Sequence, residues 1–330
     1  MQEVTREILI QKAGELFESG VINRVLGWKK GEFAYDITPG VFSCKEEMEK
    51  DFVWNGFCGA NFSKYLIKET AKGEGKVLVF LKPCDTYSFN QLLTEHRFNR
   101  DGVYAIGVPC NGMLDVELIK KTADGIANVT VDGETVKIET LYDGIVTADR
   151  ETLLAERCRN CKSKKHVAYE EILGESGDVL DSNRFDEVEK LEKMTADERF
   201  AFWQNELSRC IRCNACRDAC PACTCEKCVF DNPESGMENK AASNEFEEKL
   251  FHVIRAFHVA GRCTDCGECS RVCPQQIPLH LLNRKFIKDI DEFYGEYQAG
   301  AEVGSRAPIV NYTLEDLEPG EAVGRGNENA

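Results

Sequence analysis

Over the first 175 positions, short continuous apolar runs alternate with segments whose apolar residues recur at helical spacing. "KVLVFLKPCD" from Lys76 and "GVYAIGVPCN" from Gly102 read as strands, with "TYSFNQLLTEHRF" between them as a helix. Strand, helix, strand predicts a mainly parallel sheet. "NVTVDGETVKIET" alternates Val, Thr and Ile around Asp132-Gly133, which predicts a small hairpin added to that sheet. The opening "MQEVTREILIQKAGELFESG" mixes charge with apolar residues at helical spacing. It lacks the uncharged stretch of a secretion signal or membrane span, so a cytoplasmic protein is expected.

The pattern then changes. "ESGDVLDSNRFDEVEKLEK" is polar and charge-dense and predicts a linker over 176–194. After it, "TADERFAFWQNELSR" opens with Thr195 and Glu198 in capping-box spacing and sets Phe200, Trp203 and Leu207 along one helix face. "SNEFEEKLFHVIRAFHVAGRC" offers Ser243 or Asn244 as cap and an apolar stripe of Phe246, Leu250, Ile254 and Phe257, expected to face the core. From Gly300 the chain is Gly-rich and acidic with little periodicity, which predicts an extended tail. The expected organisation is an α/β domain over 1–175, a helical domain over 195–299 and a tail over 300–330.

Composition adds two things. A formal charge of −16 over 330 residues counts against nucleic acid or an anionic membrane as partner. Seventeen cysteines in a chain expected in a reducing compartment point to metal ligands before disulfides.

Their spacing is more specific. Cys210, Cys213, Cys216 and Cys220 precede Pro221, and Cys263, Cys266, Cys269 and Cys273 precede Pro274. Both are the C-x2-C-x2-C-x3-C-P run of two-cluster ferredoxins, in which three cysteines hold one cubane and the fourth crosses to the other. Two-residue gaps curl the chain around a cluster, and the proline ends the turn and turns the fourth thiol away. Cys210, Cys213, Cys216 and Cys273 are therefore expected on one 4Fe-4S cluster, and Cys263, Cys266, Cys269 and Cys220 on another. Zinc is the alternative for four thiolates, but zinc sites pair C-x2-C units without the triplet. Arg209, Arg212, Arg217, Arg262 and Arg271 lie beside these ligands, to offset cluster charge, to dock an acidic partner or simply to be solvated.

Cys84 and Cys110 end the two predicted strands, and "CRNC" supplies Cys158 and Cys161. Strand ends of a parallel sheet share a crevice, so four thiols could meet there. Spacing alone also allows a redox dithiol at "CRNC" and plain core cysteines on the strands. Cys223, Cys225 and Cys228, with Cys44 or Cys58, are either a fourth metal site or spare thiols. His252, Arg255 and His258 share a helix flank with no acidic partner at ligand spacing, which favours polar packing over metal binding. Glu69, Asp85 and Glu95 have no evident acid–base mate. No G-x-G-x-x-G follows a strand, and "KGEGK" lacks the phosphate-loop spacing.

"KPCD" at 82–85, "IGVPCNGML" at 106–114 and "ERCRNCKSKKHVAYEEILGES" at 156–176 together resemble the beta subunits of deazaflavin-coenzyme (factor 420) hydrogenases and related formate dehydrogenases. That resemblance covers most of residues 60–176 and implies a third 4Fe-4S cluster on Cys84, Cys110, Cys158 and Cys161. The second half resembles the helical dicluster regions of heterodisulfide-reductase and fumarate-reductase iron–sulfur subunits. "CPACTC" also resembles the C-P-x-C-x-C of the anaerobic sulfite reductase A chain and of sulfhydrogenase beta subunits. The function implied is an electron-relay subunit of an anaerobic oxidoreductase. It would pass single electrons between a catalytic subunit, such as a hydrogenase, formate dehydrogenase or heterodisulfide-reductase-like flavoprotein, and another redox partner. The alternative is an FAD subunit acting on a deazaflavin or pyridine nucleotide. Flavin-binding members of the family carry a glycine-rich stretch near the amino end, where this chain reads "QKAGELFESGVINRVLG", and that departure counts against FAD. A third possibility is a non-redox structural metal protein.

Overall fold

The computed structural model describes residues 4–161, 165–174, 183–232, 234 and 245–311. Among these the chain forms β1 (Arg24–Lys30), β2 (Ile37–Phe42), β3 (Val77–Leu81), β4 (Val103–Gly107), β5 (Ile126–Asp132), β6 (Thr135–Thr140), β7 (Ile145–Asp149) and β8 (Glu171–Ile172). One sheet has the order β2-β1-β3-β4-β8. Its β1–β3, β3–β4 and β4–β8 pairs are parallel and only the edge pair β1–β2 is antiparallel. Every residue of β3 is fully buried, as a central strand covered on both faces must be. The core continues through Leu9, Ala13, Trp28, Phe52, Phe62 and Phe89, contributed by the flanking helices and loops.

The 126–140 segment is a hairpin in which Asp132 pairs with Thr135 across Gly133 and Glu134. It does not extend the parallel sheet. With β7 it makes a separate three-stranded antiparallel sheet, closed over its own small core of Val129, Val136, Ile138, Leu114 and Leu153. The alternation dictates one buried face, and here that face is covered by the chain that follows β4 and β7.

The second half is helical. Helices Ala196–Ser208, Glu245–Val259 and Leu279–Tyr294 pack together, and two four-residue helices, Ala215–Asp218 and Glu268–Arg271, sit inside the cysteine runs. Thr195 Oγ1 accepts from the Glu198 amide, and Glu198 accepts from the Thr195 amide, so the expected capping box is present. The face of that helix is shifted from the expected one: Leu207 is buried and Trp203 half-buried, but Phe200 is exposed while Phe202 packs on Leu191 and Leu281.

The linker expectation also changes. Residues 175–182 lie outside the described residues, but Asp186–Glu192 is a helix whose Val188 and Leu191 are buried against Leu281. Helical spacing of two apolar residues in a charged segment suffices once another helix covers them. Ser243, Asn244 and the side chain of Phe246 fall outside the described residues, as does the tail from 312. Before that point the tail is held down: Ala299 and Ala307 are buried, and the Gly304 amide donates to Thr94 Oγ1 at 2.9 Å.

Candidate functional site

The strands β3 and β4 end side by side, and each exit carries a cysteine. β3 stops at Leu81, earlier than the sequence pattern suggests, because Pro83 opens a helix, Pro83–Thr94, and places Cys84 on its first turn. Cys110 lies three residues beyond β4, whose exit stays aligned with β3 through the Val108 amide donating to Leu81 O at 2.9 Å. His166 Nε2 spans both exits, 3.2 Å from Leu81 O and 3.0 Å from Val108 O. Cys158 and Cys161 come from the short helix Glu156–Arg159 and the residues after it. The four thiols line one cavity of about 480 Å³ at the carboxyl end of the sheet. Cys266 and Asp265 of the helical domain complete its wall. Burial pushes the Cys84 thiol well up, the Asp85 charge adds to that, and the Lys82 ammonium opposes it.

The two cysteine runs share one local geometry. Arg212 and Asp265, each one residue before the second cysteine of its run, have φ of +53° and +59°; Asn214 and Gly267, each one residue after it, have φ of +63° and +68°. These left-handed residues bend each run into a tight loop before its four-residue helix. The Arg212 amide donates to Cys210 Sγ at 3.4 Å. A second cavity, of about 320 Å³, is lined by Cys210, Cys213 and Cys216 of the first run and Cys273 of the second.

The remaining four are placed by different neighbours. Cys220 packs against Cys263 over Val259. Cys220 is pushed well up, first by its hydrogen bond with Cys223 and then by burial, with the Cys266 charge adding. Burial raises Cys263 strongly, Cys266 to about 12 and Cys269 to about 11. Cys269 belongs to the same packed cluster as Cys216 and Cys273 and accepts from Asn283 Nδ2 at 3.6 Å. Cys266 faces the first-domain cavity at the other side.

The helix Glu245–Val259 turns an unexpected face to these thiols. Phe251, His252, Arg255, Ala256 and Val259 are buried, while Phe257 of the expected apolar stripe is exposed and Leu250 and Ile254 are half-buried. His252 Nε2 lies 3.2 Å from Cys210 Sγ. Burial and the neighbouring Arg255 and Arg212 push that imidazole down to about 3, so it is neutral. The Arg255 Nη2 donates to Cys216 O at 3.3 Å, and its buried Nε has no acceptor among the described residues. Burial opposes its charge, but the surrounding Cys216, Cys223, Cys220 and Cys269 raise its pKa. Among the described residues no carboxylate pairs with it. Of the arginines singled out by position, Arg209, Arg217, Arg262 and Arg271 are held by Glu206, Asp231, Glu95 and Glu268, and Arg212 lies 4.2 Å over the Phe251 ring.

The other candidates have the following surroundings. Glu69, Asp85 and Glu95 are ion-paired with Arg24, Lys82 and Arg262. Cys58 is a core residue, accepting from the Asn55 amide at 3.2 Å and pushed by burial to about 12. Cys44 precedes the helix Lys45–Asp51. Cys223 lies beside Cys220 and Cys263, and is pushed down to about 5 by its hydrogen bond with Cys220 and the nearby Arg255. Cys225 is exposed, and Cys228 packs with Leu207 and Phe230. Among the described residues no disulfide joins any two of the seventeen cysteines. Among the described residues no three His, Cys, Asp or Glu side chains converge on the position of a single metal ion.

The donor sets fit thiolate-held iron–sulfur clusters. Such a cluster is an anion whose sulfurs accept N–H hydrogen bonds. Each set offers four soft sulfur donors, and beside them Arg255 and Arg157 each keep an Nε–H with no acceptor among the described residues.

Comparison with known proteins agrees at that level. Residues 206–277, which contain both cysteine runs, match the 4Fe-4S dicluster domain family. The chain is 24% identical to the F420-dependent formate dehydrogenase subunit beta of Methanocaldococcus jannaschii across 90% of this chain and 92% of that protein. It is 24% identical to the F420-dependent formate dehydrogenase 1 subunit beta of Methanococcus maripaludis across 83% and 87%. Among solved structures, a chain of the F420-reducing NiFe hydrogenase complex from Methanosarcina barkeri aligns at 14% identity and a TM-score of 0.37, over 47% of this chain and 59% of that one. The chain is thus related to formate dehydrogenase beta subunits and carries a 4Fe-4S dicluster domain after an α/β domain. Among the described residues no helix is long and apolar enough to cross a membrane.

Proposed function

We propose that this chain is the iron–sulfur electron-transfer subunit of an anaerobic redox complex, holding three 4Fe-4S clusters in a row. Cys84, Cys110, Cys158 and Cys161 would hold the first, Cys263, Cys266, Cys269 and Cys220 the second, and Cys210, Cys213, Cys216 and Cys273 the third. Bound there, the clusters would supply one-electron transfer between partners. The observation that carries this reading is adjacency: Cys266 stands in the wall of the first-domain cavity, and Cys269 shares a packed cluster with Cys216 and Cys273. The protein's own groups supply the surroundings. Lys82, Arg157 and Arg255 are buried cations beside anionic sites, and the Gly112 and Arg212 amides donate to thiol sulfurs at 3.4 Å. Its partners would be companion subunits of formate dehydrogenase or hydrogenase type, consistent with the relatives being named as beta subunits.

Metal analysis of anaerobically purified full-length chain tests this. Three cubanes require about twelve irons with matching acid-labile sulfide. Cys84→Ser should lower iron to about eight, at four per cubane, and remove one of three electron paramagnetic resonance signals. Iron at or below two cubanes in the unmodified chain, or zinc in its place, overturns the reading. A stoichiometric flavin would instead favour the FAD subunit that exchanges electron pairs with a deazaflavin or pyridine nucleotide.

A further inference from the structure

We propose that Arg157 is a positioning residue that sets the reduction potentials on both sides of the junction between the first-domain cysteine set and the Cys263 set. This rests on the three-cluster reading above. Arg157 stands in the Glu156–Arg159 turn beside Cys158, and its side chain crosses to the helical domain. Nη1 donates to Cys266 O at 2.7 Å and to Glu268 Oε1 at 3.0 Å, and Nη2 reaches Gly59 O at 3.4 Å. The side chain is 10% exposed, and its buried Nε has no acceptor among the described residues. It therefore touches the backbone of a cysteine from one set while lining the cavity of the other.

The surroundings are shaped for it. A Cβ on Gly267 would lie 2.4 Å from Arg157 Cδ, and one on Gly59 would lie 3.0 Å from Nη2. Gly267 is also left-handed, so one glycine serves the loop and the passage of the guanidinium. The charge is not cancelled locally. Glu268, its carboxylate partner, also binds Arg271 at 2.6 and 2.9 Å, leaving two guanidiniums to one carboxylate.

A thiolate-held cluster gains negative charge when reduced, and a buried fixed cation stabilises that state more than it would in water. Placed between two clusters, Arg157 favours the reduced form of each. One electron lost on one side is gained on the other, and no proton or atom moves.

The test is an anaerobic redox titration of the full chain followed by electron paramagnetic resonance, with iron counted in every sample. Arg157→Gln should keep the iron of the unmodified chain, lower the potentials of the first-domain and Cys263-set clusters, and leave the Cys210-set cluster unmoved. Arg157→Lys, which keeps the charge, should restore most of the shift. Gly59→Ala, which displaces the guanidinium without removing it, should give a smaller shift in the same direction. Unchanged potentials in Arg157→Gln at full iron overturn the proposal. So does equal loss of iron in Arg157→Gln and Arg157→Lys, which would make the residue purely structural. Fewer than three clusters in the unmodified chain overturns the underlying reading, and that result is visible before any variant is made.

Discussion

Lys82 and Asp85 form an ion pair at 2.7 Å with both side chains almost wholly buried, and Lys82 Nζ also donates to Ala60 O at 3.0 Å and lies 4.8 Å over the Trp28 ring. A buried charge deprived of its partner is costly, whereas removing both is far cheaper. Lys82→Met should destabilise the protein by about 3 kcal/mol, read as a lower urea midpoint, and adding Asp85→Leu should recover most of the loss. If the double variant is as weak as the single one, the pair has a role beyond mutual neutralisation. The "KPCD" segment was legible as the carrier of one thiol, but not as a buried ion pair beside it. The same holds for His252 and Arg255. Counted along the helix they flank the apolar stripe, and only the thiols packed against that flank explain why a histidine and an arginine are buried there.

At the scale of elements, the repeated loop of the two cysteine runs is under conformational demand at Asn214, whose φ is +63° in a position the second run fills with Gly267. A β-branched side chain is least able to adopt that conformation, at a cost of about 1–2 kcal/mol. Asn214→Val should impair iron incorporation at the Cys210 set alone, lowering iron by about one cubane, while Asn214→Gly leaves it intact. Thr195→Ala should cost about 1 kcal/mol by removing the helix cap, seen as faster amide exchange over the first turn of the Ala196–Ser208 helix. The parallel strands, this cap and both cysteine runs could be read from the sequence because each is specified locally. The separate β5–β6–β7 sheet and the outward Phe257 could not, since alternation and helical spacing say which residues share a face and not what covers it. Likewise the helix Asp186–Glu192 owes its buried Val188 and Leu191 to Leu281, almost a hundred positions on.

Across the whole molecule, the two halves are joined by charges in the interior as well as by packing. Arg284 pairs with Glu156 at 2.9 Å and with Asp265 at 2.7 Å, His280 also bonds Glu156, and Arg262 clasps Glu95 at 2.8 and 2.6 Å. Burial alone would raise Glu156, but the His280 hydrogen bond and the charges of His280 and Arg284 hold it down to about 2. Arg284→Met would remove the cation shared by Glu156 and Asp265, leaving them to His280 and Arg184, at a cost of about 3 kcal/mol. Hydrogen exchange should rise together around residues 156–161 and 265–266; a rise on one side only would mean that the halves are fastened elsewhere. The thiol sets differ in their access to solvent. Cys213 of the Cys210 set is exposed, whereas Cys220 and Cys269 of the Cys263 set are buried. In air, oxygen meets the Cys210 set first, so the row should decay from that end. If the three proposed clusters are present, the order in which their signals fade on aeration maps depth in the protein, and brief handling in air lowers the count to two.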